Sequence, residues 1–255
     1  MKRVSLLTAA GNAFPQLSRD EVYAAILCGE IFVDGEKCRD PRTKVADSAQ
    51  ISRESPRFVS RGGLKLDHAL GEWRIDVTGM VMLDAGSSTG GFTDCLLQRG
   101  AAHVHAVEVG TNQLAYSLRT DPRVSVYEQT NIMSVTSMVP QPNAAVADLS
   151  FRSLTGAAAH ILQLTRDGWA IVLVKPQFEL RGSHPDFDGV IRNEDLIQDV
   201  LEELTNRLWT EGVFVSSVLR SPVLGRRGNR EYLFLVRDSP TTGKDALPGI
   251  VRSVV

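Results

Sequence analysis

Three carboxylates and a lysine in this chain each follow a short apolar run: Asp84 after Val81–Leu83, Glu108 after Val104–Val107, Asp148 after Ala144–Ala147 and Lys175 after Ile171–Val174. A short apolar run ending in a charge reads as a buried strand, and open α/β sheets place ligands and chemistry at the carboxyl ends of their strands. Lysine is the unusual member of the set, because its ammonium must leave the apolar layer and needs a partner. Asp148, on what should be the neighbouring strand, supplies one. A lysine oriented by a carboxylate can take up a proton as a neutral base, or stabilise developing negative charge as a cation. Glu231, in Gly228-Asn229-Arg230-Glu231, stands immediately before the last strand candidate.

Between Asp84 and Glu108 lies Gly86-Ser87-Ser88-Thr89-Gly90-Gly91-Phe92, a glycine-rich turn leading into a helical stretch. Strand, glycine turn, helix, strand and acid form a unit that holds a nucleotide-like ligand. Gly86 and Gly90 allow positive φ and close approach of the backbone to that ligand. Glu108 lies 24 residues beyond Asp84, near the spacing at which a carboxylate accepts hydrogen bonds from a ribose diol. Two ligands fit the unit. A dinucleotide wants Gly-x-Gly-x-x-Gly, but Ser88 stands at the second glycine and Asp84 would repel phosphate. An acid there suits a cationic amino-acid moiety, which favours S-adenosylmethionine, with a dinucleotide as the alternative. The expected cofactor contacts are Asp84, Gly86, Ser87, Ser88, Thr89, Gly90, Phe92, Glu108 and Asn131, the last facing the adenine edge.

The elements that must position these groups alternate in type along the chain. Strand candidates are Val81–Leu83, Val104–Val107, Val124–Tyr127, Ala144–Ala147, Ala170–Val174, Val213–Leu219 and Tyr232–Val236, with helical stretches near 91–99, 111–119, 152–166 and 193–210. Alternation of this kind predicts a doubly wound α/β sheet with its last strand pair antiparallel. A further helix is expected from Leu64 to Trp73. The domain thus spans 64–238, preceded by a linker at 56–63 and followed by a peripheral tail at 239–255. The 255 residues, 43% hydrophobic and 23% charged, can bury a substantial core. No run approaches the length of a membrane span. The apolar start Val4–Ala10 is too short and too interrupted for a convincing leader, so the cytoplasm is the expected compartment. Three cysteines form neither a disulfide framework nor a metal spacing, and five histidines show no metal pattern, so no metal is expected. His103 and His105 read as structural, and His184 as a weak candidate for the cleft.

Residues 1–55 form a different unit. Ser18 and Glu21 make a capping box for a helix whose apolar face is Val22, Ala25 and Ile26. Gly29 stops that helix, Ile31-Phe32-Val33 and Asp34-Gly35 read as a strand and tight turn, and Val45–Ile51 closes the unit. Net charge is −2 overall, but residues 1–65 hold 11 basic and 8 acidic residues, a balance of +3.

Leu17-Ser18-Arg19 and Gly29–Gly35 resemble the S4 RNA-binding module. The set Lys65, Asp148, Lys175 and Glu231 resembles the Lys-Asp-Lys-Glu tetrad of FtsJ-type ribose 2′-O-methyltransferases. Together with Val59–Leu66, Gly86–Asp94 and Val174–Glu179, these features resemble the TlyA/hemolysin A family, in which an S4 module precedes an FtsJ-like domain. The resemblance spans about 1–237 and departs in Glu108, where Asp is commoner, and in a divergent S4 start. It implies a Rossmann-like class I methyltransferase with a seven-stranded sheet and a small α+β S4 domain. It also implies S-adenosylmethionine as cofactor and methylation of a ribose, that of cytidine, in ribosomal RNA or a ribosomal subunit. Lys175 would take the proton from a 2′-hydroxyl or stabilise its oxygen, Asp148 would orient Lys175, and Lys65 and Glu231 would position the hydroxyl. Arg19, Arg53, Arg57 and Arg61 are the expected RNA contacts. Exocyclic-amine methylation is disfavoured, because Asp148-Leu149-Ser150-Phe151 lacks the Pro-Pro-aromatic turn. A membrane-active hemolysin finds no span or long amphipathic basic helix here, and an inactive methyltransferase fold is at odds with the intact tetrad.

Overall fold

A computed structural model describes residues 3–54, 56–150, 153–180, 187–241, 243–244 and 247–255. The chain divides into two compact units, 1–57 and 58–255.

In the first unit, β1 (Arg3–Ser5) leads into α1 (Leu6–Ala13), which is followed by α2 (Arg19–Cys28). The Ser18–Glu21 capping box forms as expected: Ser18 Oγ accepts from Glu21 N–H at 3.2 Å, and Glu21 accepts from Ser18 N–H at 2.7 Å. Gly29, at φ +75°, ends α2 in the left-handed conformation that glycine adopts at low cost. β2 (Ile31–Val33) lies between β3 (Glu36–Lys37) and β5 (Ile51–Arg53), while β4 (Lys44–Ala46) pairs with β1. Leu6, Ala10, Val22, Ala25, Ile26, Ile31 and Val45 form its small core. Helix α1 was not expected. Gly11 and Asn12 lower its propensity, and burial of Leu6 and Ala10 holds it in place.

The second unit is built on seven strands: β6 (Val81–Ala85), β7 (His103–Val107), β8 (Val124–Tyr127), β9 (Ala144–Ala147), β10 (Trp169–Val174), β11 (Phe214–Arg220) and β12 (Tyr232–Arg237). Their order is β11-β12-β10-β9-β6-β7-β8, with β12 antiparallel to both neighbours and the rest of the sheet parallel. Successive residues face opposite sides, as the two-residue strand period requires. Met82, Val104 and Val146 pack on one face with α3 (Gly62–Glu72) and α4 (Gly91–Gln98). Leu83, Val107 and Ala147 pack on the other with α6 (Ala157–Leu164) and α8 (Glu194–Thr210). The doubly wound sheet is therefore as expected, and its order reverses between β6 and β9.

Several boundaries differ from expectation. The helix near 111–119 shrinks to the single turn α5 (Tyr116–Arg119), because Asn112 sits at φ +54° and cannot be helical. The helix near 152–166 begins only after Gly156, at φ +76°. A four-residue helix, α7 (Pro176–Glu179), follows β10. The stretch 56–63 is only partly a linker: Phe58 is buried in the core and α3 starts at Gly62. Nor is 239–255 merely peripheral. It contains α9 (Leu247–Arg252), whose Leu247 and Val251 are buried in the core one helical turn apart.

Candidate active site

A cavity of about 840 Å³ opens at the carboxyl ends of the parallel strands, around the point where the strand order reverses. Its first wall is the turn after β6. The N–H groups of Gly86 and Ser87 both donate to the Val107 carbonyl, at 2.8 and 3.1 Å, which ties the turn to β7. Gly86 is at φ +83°, and a Cβ there would lie 2.6 Å from the Asp148 carbonyl oxygen. Glycine is required at this position by the approach of the next strand. Ser88, at φ +48°, turns its N–H onto Glu108, whose Oε2 accepts it at 2.9 Å while Oε1 accepts the Gly110 N–H at 2.8 Å. A carboxylate offers about four acceptor sites. Two are used within the protein. Asn131 lines the same cavity, and its Oδ1 caps a 3₁₀ turn through the Met133 N–H at 3.0 Å.

Seven of the nine expected cofactor contacts line this cavity: Gly86, Ser87, Ser88, Thr89, Phe92, Glu108 and Asn131. Asp84 and Gly90 do not. Asp84 is fully buried within β6, and its Oδ2 accepts from the Thr93 hydroxyl at 2.6 Å. Burial, reinforced by the charges of Asp148 and Glu108 against the opposing Thr93 hydrogen bond, pushes its carboxyl up to about 7. Its Oδ1 has no hydrogen-bond partner. Gly90, at φ +94°, starts α4, and its missing Cβ leaves room for Leu118 and Leu114 rather than for a ligand.

The second wall carries all four expected catalytic residues. Lys175 Nζ donates to Asp148 Oδ1 and, at 3.3 Å, to the Leu149 carbonyl. Lys65, on the first turns of α3, donates to Glu231 Oε2, and both of these side chains are buried. Two lysine–carboxylate pairs thus face one cavity. Phe178 lies beneath Lys175, with its ring centroid 5.8 Å from Nζ.

One participant escaped the sequence reading. Glu179 is buried, and accepts from the Leu154 N–H at 2.8 Å, the Ser153 hydroxyl at 2.6 Å and the Arg207 guanidinium at 3.3 Å. It clamps the loop after β9 to the end of β10, and so holds the segments carrying Asp148 and Lys175 together. Its place in Lys175-Pro176-Gln177-Phe178-Glu179 was the available signal.

The four expected RNA contacts are divided between the two units. Arg61 lines the cavity of the second unit. Arg19, Arg53 and Arg57 belong to the first unit, where Arg19 is exposed and Arg53 is held by Glu30 at 2.8 Å. His103 and His105 are structural, with their ring Nε2 atoms bonded to Ser125 and the Pro140 carbonyl. His184 lies outside the described residues. Among the described residues no cluster of His, Cys, Asp and Glu could hold a metal ion, and no helix is long and apolar enough to cross a membrane.

The strand order, the glycine turn facing a strand-end acid and the lysine–carboxylate wall define a class I methyltransferase. Comparison with known proteins narrows this. The FtsJ-like methyltransferase model matches residues 58–237. Hemolysin A of Brachyspira hyodysenteriae is 37% identical over 221 residues, covering 85% of this chain and 92% of that protein. The 16S/23S rRNA (cytidine-2′-O)-methyltransferase TlyA of Mycobacterium tuberculosis is 41% identical over 226 residues, 86% of this chain and 84% of that one. A solved structure of a hemolysin candidate from Streptococcus thermophilus has a TM-score of 0.73 at 33% identity, covering 99% of this chain and 96% of its own. The chain belongs to the FtsJ-like methyltransferase family, with S-adenosylmethionine as methyl donor.

Proposed function

We propose that the protein methylates the 2′-hydroxyl of a cytidine ribose in ribosomal RNA, acting in the cytoplasm on RNA or an assembled ribosomal subunit. The observation that carries this reading is Lys175. It is held by Asp148 and the Leu149 carbonyl in the wall of the same cavity as Glu108 and the glycine turn. S-adenosylmethionine, when bound, supplies an electrophilic methyl group on a sulfonium. Glu108 would hold its ribose diol, Asn131 its adenine edge, and Gly86–Thr89 with Phe92 its methionine end.

A ribose hydroxyl is a weak nucleophile, so the protein must deal with its proton. An amine nitrogen with two N–H bonds directed at Asp148 and Leu149 keeps one tetrahedral position for the substrate. In its neutral form Lys175 Nζ would accept the hydroxyl proton there as the methyl group leaves the sulfonium sulfur for the hydroxyl oxygen. Lys65, paired with buried Glu231, fixes a positive charge at the same wall and holds the hydroxyl oxygen, while Arg61 meets the neighbouring phosphate. The S4-like first unit grips the RNA, with Arg19 and Arg57 as candidate contacts, while Arg53 is held by Glu30. The 41% identity to a ribosomal-RNA cytidine 2′-O-methyltransferase supports this choice of acceptor.

The test is to incubate the protein with methyl-labelled donor and either naked ribosomal RNA or isolated subunits, then map the label. A 2′-O-methylcytidine is expected. Label confined to bases, or to no RNA at all, would overturn the reading.

A further inference from the structure

Buried polar side-chain atoms in a native fold are hydrogen-bonded with few exceptions, and each exception calls for a reason. Among the described residues, Asp84 Oδ1, the Tyr232 hydroxyl and Gln177 Oε1 are buried without a hydrogen-bond partner. Of these three residues only Gln177 lines the catalytic cavity. It stands two positions after Lys175, on α7, in the wall that also carries Lys65, Asp148 and Glu231. The turn that bears it is firmly held. Pro176 fixes φ at the first position of α7. The Phe178 N–H donates to the Lys175 carbonyl at 2.8 Å and the Leu180 N–H to the Pro176 carbonyl at 3.0 Å. Glu179 anchors the end of the turn on the Leu154 N–H and the Ser153 hydroxyl. An acceptor without a donor is thus built into a rigid part of the cavity wall, the kind of support a recognition site needs.

A carbonyl oxygen is answered by an N–H or an O–H, and on the proposed function two ligands meet in this cavity. The proposed contacts of the methyl donor lie on the turn after β6, on Glu108 and on Asn131, not on α7. The acceptor nucleotide is part of an RNA chain, so its other ribose oxygens are esterified or in the ring. Its one ribose O–H is the 2′-hydroxyl, whose proton goes to Lys175. The remaining donor must come from the base. Cytosine carries an exocyclic N4 amine where uracil carries the carbonyl O4. We infer that Gln177 reads the base, its Oε1 accepting from the N4 amine of the cytidine whose 2′-hydroxyl faces Lys175. The inference rests on the proposed methylation of cytidine and adds to it the residue that selects the base. A uridine in the same place sets O4 against Oε1, two acceptors with no proton between them. A site built around a hydrogen bond rejects the partner that cannot complete it.

The test uses the full-length protein and ribosomal RNA, naked or in subunits, carrying cytidine or uridine at the methylated position, with kcat/KM measured on each. The wild type should prefer cytidine by roughly five- to a hundredfold, the range for one wrong base at a hydrogen-bonded position. Gln177→Leu should lose most of that preference through a fall on cytidine, while kcat/KM on uridine changes by less than about threefold. Gln177→Glu retains an acceptor oxygen and should retain the preference, whatever its absolute rate. Calorimetry should find the affinity for S-adenosylmethionine unchanged in both variants.

Equal use of cytidine and uridine by the wild type, or a cytidine preference kept in folded Gln177→Leu, would overturn this assignment and leave the methyltransferase reading intact. Equal losses on the two substrates, or a preference lost in both variants, would make Gln177 a support of the Lys175 turn and overturn it as well. Weakened donor binding in Gln177→Leu would transfer the oxygen to the methyl donor, with the same consequence. No label on any ribose in the wild type would overturn both readings.

Discussion

The two cavities of this protein treat positive charge in opposite ways. In the methyltransferase unit Lys65 and Lys175 are each answered by a carboxylate from another element, Glu231 and Asp148. In the first unit Arg39, Arg42 and Lys44 surround a second cavity, of about 630 Å³, without such partners among the described residues. Internal pairing fixes where a charge sits, which reaction chemistry needs, since a positioned group is effective only within a narrow geometry. Unanswered surface cations keep their freedom and spend it when a polyanion arrives and counterions leave. On the proposed function, the same residue types would serve turnover in one region and affinity in the other, and substitutions should separate along that line.

The largest effect should come from breaking the pairing at its centre. Lys175→Ala should lower turnover about 10²- to 10⁴-fold, the range for a positioned acid or base, while calorimetry finds donor binding retained. Near-normal turnover in that variant would remove Lys175 from the chemistry.

Asp84 is fully buried and, among the described residues, has no cation paired with it, which makes it a test of what pairing is worth. Its carboxyl is raised from 3.8 to about 7 by burial first, then by the Asp148 and Glu108 charges. Between about pH 4 and 7 the native state holds a proton that the unfolded chain has released, so stability falls as pH rises through that window. Asp84→Asn should lift the thermal midpoint of the ligand-free protein at pH 8, by as much as ~4 kcal/mol in unfolding free energy. The gain should shrink toward zero near pH 4. A gain independent of pH would assign the effect to packing.

Glu108→Ala removes an acceptor already oriented by the Ser88 and Gly110 N–H groups. Donor affinity should fall roughly ten- to a hundredfold, in line with hydrogen bonds to a charged group, in a protein that remains folded. Unchanged affinity would exclude it from the donor site. The smallest effect belongs to Arg53→Gln, whose partly exposed pair with Glu30 should be worth no more than about 1 kcal/mol. RNA affinity should shift less than about threefold, because this arginine's charge is answered within the protein. A loss as large as that from replacing Arg42 and Lys44 by Gln would erase the contrast between paired and unanswered cations.

Much of this layout was legible in the chain because the informative residues sit at ends of apolar runs. Asp148 and Lys175 follow β9 and β10, so adjacency of those strands was enough to bring them together. The capping box at Ser18 and Glu21 was equally visible, being a local pattern. What stayed hidden depends on partners far away in sequence. Arg53 reads as a free basic residue until Glu30 is placed beside it. Asp84 reads as a ligand contact until Thr93 turns back from α4 onto its carboxylate. Gly90 reads as a ligand-facing glycine until Leu114 and Leu118 are seen to occupy the space a Cβ would need. Helix α9 buries Leu247 and Val251, with Pro248 and Gly249 between them masking its periodicity. Glu179 lay inside a motif already in view, but its clamp on Ser153, Leu154 and Arg207 spans three separate elements.

Gly86 joins the two halves of the reaction more tightly than its position in a donor-binding turn suggests. Its Cα faces the carbonyl of Asp148, and there is no room between them for a single added carbon. The Asp148 N–H donates in turn to the Ala85 carbonyl at 3.0 Å, so the turn and Asp148 are tied together through their backbones. On the proposed roles of these residues, the distance between methyl donor and acceptor hydroxyl is a built-in dimension of the fold. A turn reshaped to take a different donor would carry Asp148 with it, so tuning the affinity of one ligand would detune the reactivity of the other.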